Sequence, residues 1–351
     1  MEDTLTDREE LQAPLRIDYK KLLYVLIIGV AVGLLLVKLV GEREALAVLQ
    51  GAKTEFVVLA VISESLRYLA VALYNQKLLH FQGHHIGLWP FVELMLASGS
   101  ANRIVSAGGM AGVYVRYRFF DKHGLSLGSL AIVLILQTCM TSIILFCIFL
   151  FGLFYLLSHR LLGTTQLLVT GAMICLVSGV LASVIVLYRR PRKVKSLLVS
   201  LTKLIDVPWK KLTRRGIYND KEVIRNINNF YQAVDIARKN PVETGKAFVY
   251  SIMTLFADIF SLYFVFHALG FPIQLDVLLV GYAITNYIIS LSLMPEGIGI
   301  SELSLSAVYA SMGVPAGIVV VATLLFRFIS FWLPILVGLL TTWDLYRRSL
   351  L

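Results

Sequence analysis

Long, uninterrupted apolar runs are the feature that most limits what this chain can fold into. Several runs reach the ~20 residues that an α-helix needs to cross the hydrocarbon layer of a bilayer. Charged residues form 15% of the 351-residue chain, whereas soluble domains carry about 25%. A water-soluble core could not bury so much apolar surface, so the sequence predicts an all-α polytopic membrane protein.

Six runs are predicted to cross the membrane fully, and two further apolar regions are interrupted near their middle. The predicted spans are residues 22–40, 55–76, 125–157, 165–188, 247–269 and 315–342. The interrupted regions are 89–119, with "SAGGMAG" at 106–112, and 274–311, with "PEGIG" at 295–299. The predicted organisation is an N-terminal tail, a first membrane half, a polar insert, a second membrane half and a C-terminal tail, at 1–21, 22–188, 189–246, 247–342 and 343–351.

The second break contains the residues that stop a helix inside an apolar region. Pro295 lacks an amide donor, and Gly297 and Gly299 tolerate backbone angles that other residues avoid. The free amides that begin the next half-helix carry a partial positive charge. In a bilayer such a break is tolerated only where protein or a water-filled cavity covers it. Both breaks are therefore expected to line a polar cavity inside the membrane.

The two interrupted regions share a pattern. Each break is followed by a G-[LV]-[SP]-x-G segment, at 124–128 and at 313–317, and then by a long span. With both termini on one side of the membrane, the two units have opposite orientations, as in transporters built from inverted repeats. The arm 110–119 is too short to cross the bilayer, so region 89–119 is predicted to be a re-entrant hairpin. Region 274–311 could re-enter or cross fully.

Positive charge is concentrated in the polar insert. Residues 189–246 contain 15 Lys and Arg against five Asp and Glu, and basic segments remain in the cytoplasm. The insert and both termini are therefore predicted to be cytoplasmic, in the plasma (inner) membrane of a prokaryote. Because the excess charge is local, it argues against a nucleic-acid partner. The insert could bind anionic lipid or be an ordinary cytoplasmic loop.

Ionisable residues within apolar segments are costly and are therefore candidates for function. Glu64 and Arg67 are one helical turn apart and can pair, and Glu302 is expected to pair with Arg327. Arg103 and Arg116 flank the first break, where two guanidiniums would suit a phosphate. For Arg116, anchoring at the cytoplasmic face is an equal alternative. Further carboxylates within apolar segments are Glu93, Asp258 and Glu296.

These residues carry a resemblance to the membrane domain of the lysylphosphatidylglycerol synthase/flippase family, over most of the chain. The residues that match its two motifs are Arg103, Gly108, Gly109, Gly112 and Arg116, then Pro295, Gly297, Gly299, Glu302 and Arg327. Glu296 and Ala107 depart from the motifs. The resemblance implies a flippase-like domain. Since the chain ends soon after the last predicted span, we expect a stand-alone member without the soluble synthase domain, and lipid aminoacylation is not expected.

The predicted function is transport of a phospholipid, glycolipid or polyprenyl-phosphate headgroup across the membrane through a polar cavity. The predicted headgroup-binding or transport residues are Arg103, Gly108, Gly109, Arg116, Pro295, Glu296, Gly297, Gly299, Glu302 and Arg327. The predicted ion-pair or coupling residues are Glu64, Arg67, Glu93 and Asp258. The partners expected are membrane lipids with anionic or zwitterionic headgroups. A homo-oligomer or a cytoplasmic lipid synthase are further partners left open.

Two alternatives remain at the level of sequence. One is an intramembrane lipid-modifying enzyme, and the other is a non-catalytic membrane partner of a cytoplasmic lipid synthase. The chain contains no H-E-x-x-H pair. The segment GLSLG at 124–128 fits the letters of G-x-S-x-G but begins an apolar span, without the preceding strand that a nucleophilic serine of this type needs. No catalytic residue, metal or cofactor is therefore predicted. The three cysteines, Cys139, Cys147 and Cys175, lie in apolar spans and are interpreted as packing residues.

The charge asymmetry predicts how the membrane is crossed. In a variant without native cysteines, Gly216→Cys should be protected from an impermeant thiol reagent in intact cells, whereas Gly163→Cys should be labelled. The reason is that the basic insert stays inside and residues 158–164 face outside. Labelling of Gly216→Cys from outside would contradict this topology.

Overall fold

The computed structural model of the protein describes residues 19–80, 85–104, 110–125, 127–158, 235–291 and 297–351, with residues 171, 228 and 232 between them. The first six helices are α1 (Tyr19–Val40), α2 (Glu42–Gln50), α3 (Thr54–His80), α4 (Leu88–Ile104), α5 (Met110–Lys122) and α6 (Leu127–Ser158). The next are α7 (Pro241–Ala268), α8 (Leu275–Leu291), α9 (Ile300–Ser311) and α10 (Ala316–Arg327). A π-helical turn (Phe328–Trp332) joins α10 directly to α11 (Leu333–Arg347).

Four helical stretches in the described part of the chain are long and apolar enough to cross a membrane. They are Thr54–His80, Gly128–Phe151, Pro241–Ala268 and Ala316–Arg347. They coincide with four of the six predicted spans and confirm an all-α polytopic membrane protein. The predicted span 22–40 corresponds to α1, whose apolar part, Leu26–Val40, is shorter. The predicted span 165–188 and most of the basic insert lie outside the described residues.

Helices α3 and α7 form the most extensive helix pair and run antiparallel along their whole length. At one end the Lys53 amide donates to the Ala268 carbonyl (2.8 Å). In the middle the Ser63 hydroxyl donates to the Ala257 carbonyl (2.8 Å). At the other end Lys77 Nζ lies 3.5 Å from Glu243 Oε2. The two helix ends that carry Lys77 and Glu243 therefore lie on the same side of the membrane.

Helices α4 and α11 are also antiparallel and pack at close range. Gly338 of α11 lies against Ser100 and the Leu96 carbonyl of α4. The Ser100 hydroxyl lies 2.9 Å from the Leu96 carbonyl and 3.1 Å from the Pro334 carbonyl, and can donate to either. Beyond the end of α11, Arg348 forms an ion pair with Glu93 near the start of α4. Small residues thus let α11 and α4 approach closely, as is common between helices in membranes.

Each interrupted region has two helical arms in direct contact. In the first region the Gly112 amide of α5 donates to Asn102 Oδ1 of α4 (2.5 Å). In the second region the Tyr309 hydroxyl of α9 donates to the Leu278 carbonyl of α8 (2.8 Å). The Tyr309 ring packs directly over Gly281, where a Cβ atom would overlap the ring.

Residues flanking the two breaks meet at the last span. Ile104, which precedes the first break, and Ile298, within the second, belong to one buried cluster with Phe331 and Ile335. Phe331 is near the middle of the continuous helix Ala316–Arg347. The residues described next to the breaks therefore converge about halfway along a membrane-spanning helix. The residues of the first break itself, 105–109, lie outside the described part.

The close contact at Gly338 predicts a stability difference between two glycine substitutions. Gly338→Ala should destabilise the purified protein by about 1–3 kcal/mol, because the added methyl overpacks the α4–α11 interface. Gly245→Ala is the matched control, since a Cβ atom at Gly245 of α7 meets no atom within 4 Å. Unfolding midpoints in detergent measure both effects, and equal midpoints for the two variants would contradict the interface.

Candidate functional site

A polar cavity of about 230 Å³ lies next to the converging breaks, between the middles of α3 and α7 and the ends of α4, α9 and α10. Its walls come from α3, α4, α7, α8, α9, α10 and the π-helical turn. The lining residues are Arg67, Arg103, Asp258, Tyr282, Thr285, Asn286, Ile289, Ser301, Leu305, Phe326, Arg327 and Ser330. Three guanidiniums face one cavity within the membrane, and charges at that depth are costly unless groups of opposite charge lie beside them.

Glu302 ties the second break to the last span. Its Oε2 accepts a hydrogen bond from the Gly299 amide at the start of α9 (2.7 Å), and its Oε1 accepts one from Arg327 Nε (2.8 Å). The G-x-x-E spacing places the carboxylate back over its own helix start, where the helix dipole favours negative charge. The predicted Glu302–Arg327 pair is therefore present, and it is buried. The Gly299 amide is therefore bonded to Glu302 and is not among the free amides predicted at the start of the next half-helix.

Glycine is required at the second break for a conformational reason. Gly297 and Gly299 both have positive φ, at 68° and 81°. A Cβ atom at Gly297 would lie 2.9 Å from the Ile289 side chain of α8. These two glycines let the chain reverse closely against α8 and deliver Glu302 to Arg327.

The π-helical turn creates the binding position for Arg103. Pro334 has no amide hydrogen, so the Ser330 carbonyl one turn earlier lacks its usual helical donor. Arg103 Nη2 donates to this carbonyl at 3.5 Å, and Arg103 Nη1 donates to the Tyr68 hydroxyl at 2.9 Å. A π-helical turn inside a helix is frequently found at functional sites. Here it connects the first interrupted region with the cavity.

An aromatic ring lies between the elements that supply two of the arginines. The guanidinium of Arg327 is 4.2 Å from the centroid of the Phe331 ring, and that of Arg103 is 5.5 Å away. Cations at such distances from an aromatic ring are stabilised by its quadrupole. Phe331 therefore helps to hold two positive charges close together at the middle of the membrane.

The third arginine, Arg67, belongs to a separate charged group formed by α3, α7 and α8. Arg67 donates to Glu64 Oε1 through Nε (2.7 Å) and also through Nη2. Its Nε lies 3.8 Å from Asp258 Oδ1 of α7. The Tyr282 hydroxyl of α8 donates to Asp258 Oδ2 at 2.5 Å. The predicted Glu64–Arg67 pair is present, and two carboxylates share this one guanidinium.

Several buried polar atoms of the described residues have no hydrogen-bond partner. Arg327 Nη2 and Thr285 Oγ1 belong to residues that line the cavity, and Glu64 Oε2 lies just behind its wall. An unmade hydrogen bond of a buried polar group costs free energy, so each such atom in a native protein requires an explanation. Two donors left free at the cavity are consistent with a site that binds an acceptor-rich group.

The structure separates two arginines that the sequence placed together. Arg116 lines a second cavity of about 360 Å³ between α4, α5 and α6, where it donates to Ser98 Oγ and Gln137 Oε1. Arg103 lines the first cavity. The two guanidiniums therefore line different cavities, and a phosphate shared between them at the break stays a prediction, since residues 105–109 lie outside the described part. Consecutive half-helices point their side chains toward different neighbours.

The remaining predicted residues are placed as follows. Glu93 pairs with Arg348 at the end of the last span and does not line the cavity. Gly108, Gly109, Pro295 and Glu296 lie outside the described residues. In the described part of the chain, no group of three metal-ligating side chains is positioned to hold a metal ion.

Sequence reasoning missed the uncharged polar residues of the site. Tyr68, Tyr282 and Ser330 each hold one of the charged groups in place. The signal for Ser330 was available, because Pro334 follows it by four residues in "FRFISFWLP". Tyrosines within apolar helices give no comparable signal, because they are also frequent at membrane interfaces.

The Glu302–Arg327 pair predicts that each single substitution lowers stability and that the double substitution recovers most of the loss. Glu302→Gln and Arg327→Gln should each destabilise the protein by about 3–5 kcal/mol, because each leaves one buried charge without its partner. The double variant should recover most of this loss, since glutamine at 302 can still accept from the Gly299 amide. Unfolding midpoints of the four proteins form the test. A double variant as unstable as the sum of the single variants would argue against a buried pair.

The comparisons with known proteins agree with this architecture. The family model of the lysylphosphatidylglycerol synthase TM region matches residues 25–338, nearly the whole chain. A UPF0104 membrane protein of Pyrococcus horikoshii is 35% identical over 119 residues, covering 34% of this chain and 35% of the relative. A UPF0104 membrane protein of Methanocaldococcus jannaschii is 25% identical over 122 residues, covering 34% and 36%.

The aligned segments span about a third of the length of each of these relatives. The match to the family model, in contrast, extends from the first helix to the last span and includes both interrupted regions. The protein is therefore an integral membrane protein that belongs to the family of the lysylphosphatidylglycerol synthase transmembrane region.

Proposed function

We propose that this protein is a lipid transporter that binds a phosphorylated headgroup in the cavity and moves it between the two leaflets. The observation that carries the proposal is the set of three guanidiniums, of Arg67, Arg103 and Arg327, around one cavity at the convergence of two interrupted helices. Membership of the family supports a role related to membrane lipids. The transport activity and its chemistry are the proposal.

A phosphate is the headgroup feature that this cavity suits best. Guanidiniums bind phosphate oxygens through short, charge-assisted hydrogen bonds. Arg327 Nη2 and the Thr285 hydroxyl are donors without a partner among the described residues. The volume of about 230 Å³ is below the roughly 300–1,000 Å³ of pockets that enclose drug-sized ligands. The cavity thus fits a small headgroup, while the hydrocarbon tails remain in the bilayer.

Re-entrant hairpins belong to the same proposal. Ile104 and Ile298, next to the two breaks, pack at the middle of a 32-residue helix, which supports both regions turning back halfway through the membrane. Transporters built from inverted repeats place substrates at such midplane breaks. The proposed orientation has both termini in the cytoplasm of a prokaryotic cell, with the headgroup site reached from either face.

Binding is favoured over chemical modification by the state of the carboxylates. Glu302 accepts from Arg327 and the Gly299 amide, and Asp258 accepts from the Tyr282 hydroxyl. Each carboxylate is engaged in holding the charged frame, whereas general acid–base catalysis needs a group within reach of the reacting atoms. We therefore propose that the protein moves its lipid without altering it.

Removal of Arg103 should slow lipid movement. In proteoliposomes that contain fluorescent phosphatidylglycerol, Arg103→Gln should reduce the rate of exchange between leaflets about tenfold or more, because a charge-assisted hydrogen bond is worth about 1.5–3 kcal/mol. Arg43→Gln, an exposed residue of α2, is the matched control and should exchange lipid at the wild-type rate. Dithionite quenching of outer-leaflet fluorescence gives the rate.

Mass spectrometry of the lipids after the same assay separates the alternatives. Exchange with unchanged lipid supports transport, whereas a chemically altered lipid would support an enzyme. Neither exchange nor alteration would support a non-catalytic partner of another protein. Equal exchange rates for the wild type and Arg103→Gln would contradict the proposal that this cavity binds the headgroup.

A further inference from the structure

Charges around the cavity balance when no headgroup is bound. Among the described residues, Arg67, Arg103 and Arg327 line the cavity. Three carboxylates complete the charged frame. Asp258 lines the cavity, Glu302 pairs with Arg327, and Glu64 pairs with Arg67. Glu296 lies outside the described residues and is not included in this balance.

An anionic headgroup disturbs this balance. A phosphodiester with an uncharged substituent brings one negative charge into a region of low dielectric, where an unbalanced charge is expensive. A zwitterionic headgroup brings its own cation and leaves the balance unchanged. The site therefore needs a compensating positive charge for one class of headgroup and not for the other.

Resting on the proposed function, we infer that the Glu64–Arg67–Asp258 group takes up one proton when the cavity binds an anionic headgroup, so that headgroup and proton cross the membrane together. Two carboxylates share the single guanidinium of Arg67, so this group of three side chains carries one net negative charge within the balanced frame. Glu302, in contrast, uses both oxygens, one for Arg327 and one for the Gly299 amide.

The position of the proton follows from the hydrogen bonds of the group. Glu64 Oε1 accepts from Arg67, and Asp258 Oδ2 accepts from the Tyr282 hydroxyl. Glu64 Oε2 is buried and has no partner among the described residues. Protonation of Glu64 at Oε2 leaves the bond between Oε1 and Arg67 intact. Asp258 lines the cavity and its Oδ1 lies 3.8 Å from Arg67 Nε, so the charged group is in contact with the cavity.

Charged and titratable side chains from four helices surround Glu64. Its own helix α3 supplies Arg67 and Tyr68, whereas α7 supplies Asp258, α8 supplies Tyr282 and α4 supplies Arg103. When an anionic phosphate binds to Arg103 and Arg327, it lies near Glu64 and Asp258 and makes a second negative charge there less favourable. Proton uptake then follows from headgroup binding.

A binding measurement tests this inference with soluble lipid probes. Purified full-length protein in detergent is titrated with dihexanoyl phosphatidylglycerol or with dihexanoyl phosphatidylcholine in weak buffer that contains a pH-sensitive dye. We expect uptake of about one proton per bound phosphatidylglycerol and none per phosphatidylcholine. Above the pH at which the free group has lost its proton, phosphatidylglycerol affinity should fall about tenfold per pH unit. Phosphatidylcholine affinity should stay constant.

Glutamine at position 64 imitates the protonated side chain. Glu64→Gln should bind phosphatidylglycerol with a pH-independent affinity and without proton uptake, whereas Glu55→Gln should behave as the wild type. Glu55 is the matched control because it lies on the same helix and is exposed. Asp258→Asn provides the same test if Glu64→Gln does not fold, and it too should abolish uptake.

The possible outcomes separate this inference from the function on which it rests. Binding of phosphatidylglycerol by the wild type without proton uptake, or with equal affinity at pH 6 and pH 9, would overturn the inference and leave the headgroup site intact. Persistent uptake by both Glu64→Gln and Asp258→Asn would also overturn it. Failure of the wild type to bind either probe would overturn the headgroup site and the inference together.

Discussion

A bilayer offers no water to a broken helix, and this constraint governs the whole central region. Every amide and carbonyl freed by a break must find a partner in the protein or in a water-filled cavity. Glu302 satisfies the Gly299 amide and Arg327 together, and Arg103 takes the Ser330 carbonyl that Pro334 leaves free. The same charged side chains therefore form the hydrogen bonds that the broken backbone needs and hold the charges of the site in place.

Sequence could predict those parts of the site in which an unpaired charge inside the membrane would cost free energy. A carboxylate and an arginine within apolar segments need partners, so Glu302–Arg327 and Glu64–Arg67 could be paired from the sequence. The cap at Gly299 followed from the G-x-x-E spacing but was not recognised. Long apolar runs likewise fixed four described spans, because length and composition alone determine whether a helix can cross a membrane.

Predictions that depended on the direction of side chains were less successful. Arg103 and Arg116 are close in sequence, yet they belong to two half-helices that face different neighbours and line different cavities. Glu93 was predicted as an ion-pair or coupling residue, and it does form an ion pair, but its partner, Arg348, is 255 residues away and was not identified. Neither outcome is encoded locally, because helix rotation and packing partners arise only when the helices on either side of the breaks assemble against the last span.

The π-helical turn at 328–332 lets the last span contact α9 before the turn and α4 after it. An extra residue in a helical turn rotates every later side chain by about 100° relative to the earlier ones. Before the turn, Arg327 faces α9, whereas after it Pro334 and Gly338 face α4. The last span therefore contacts both interrupted regions. Rotation or tilt of this span would therefore displace side chains that pack beside both breaks, since Ile104 and Ile298 share one buried cluster with Phe331 and Ile335.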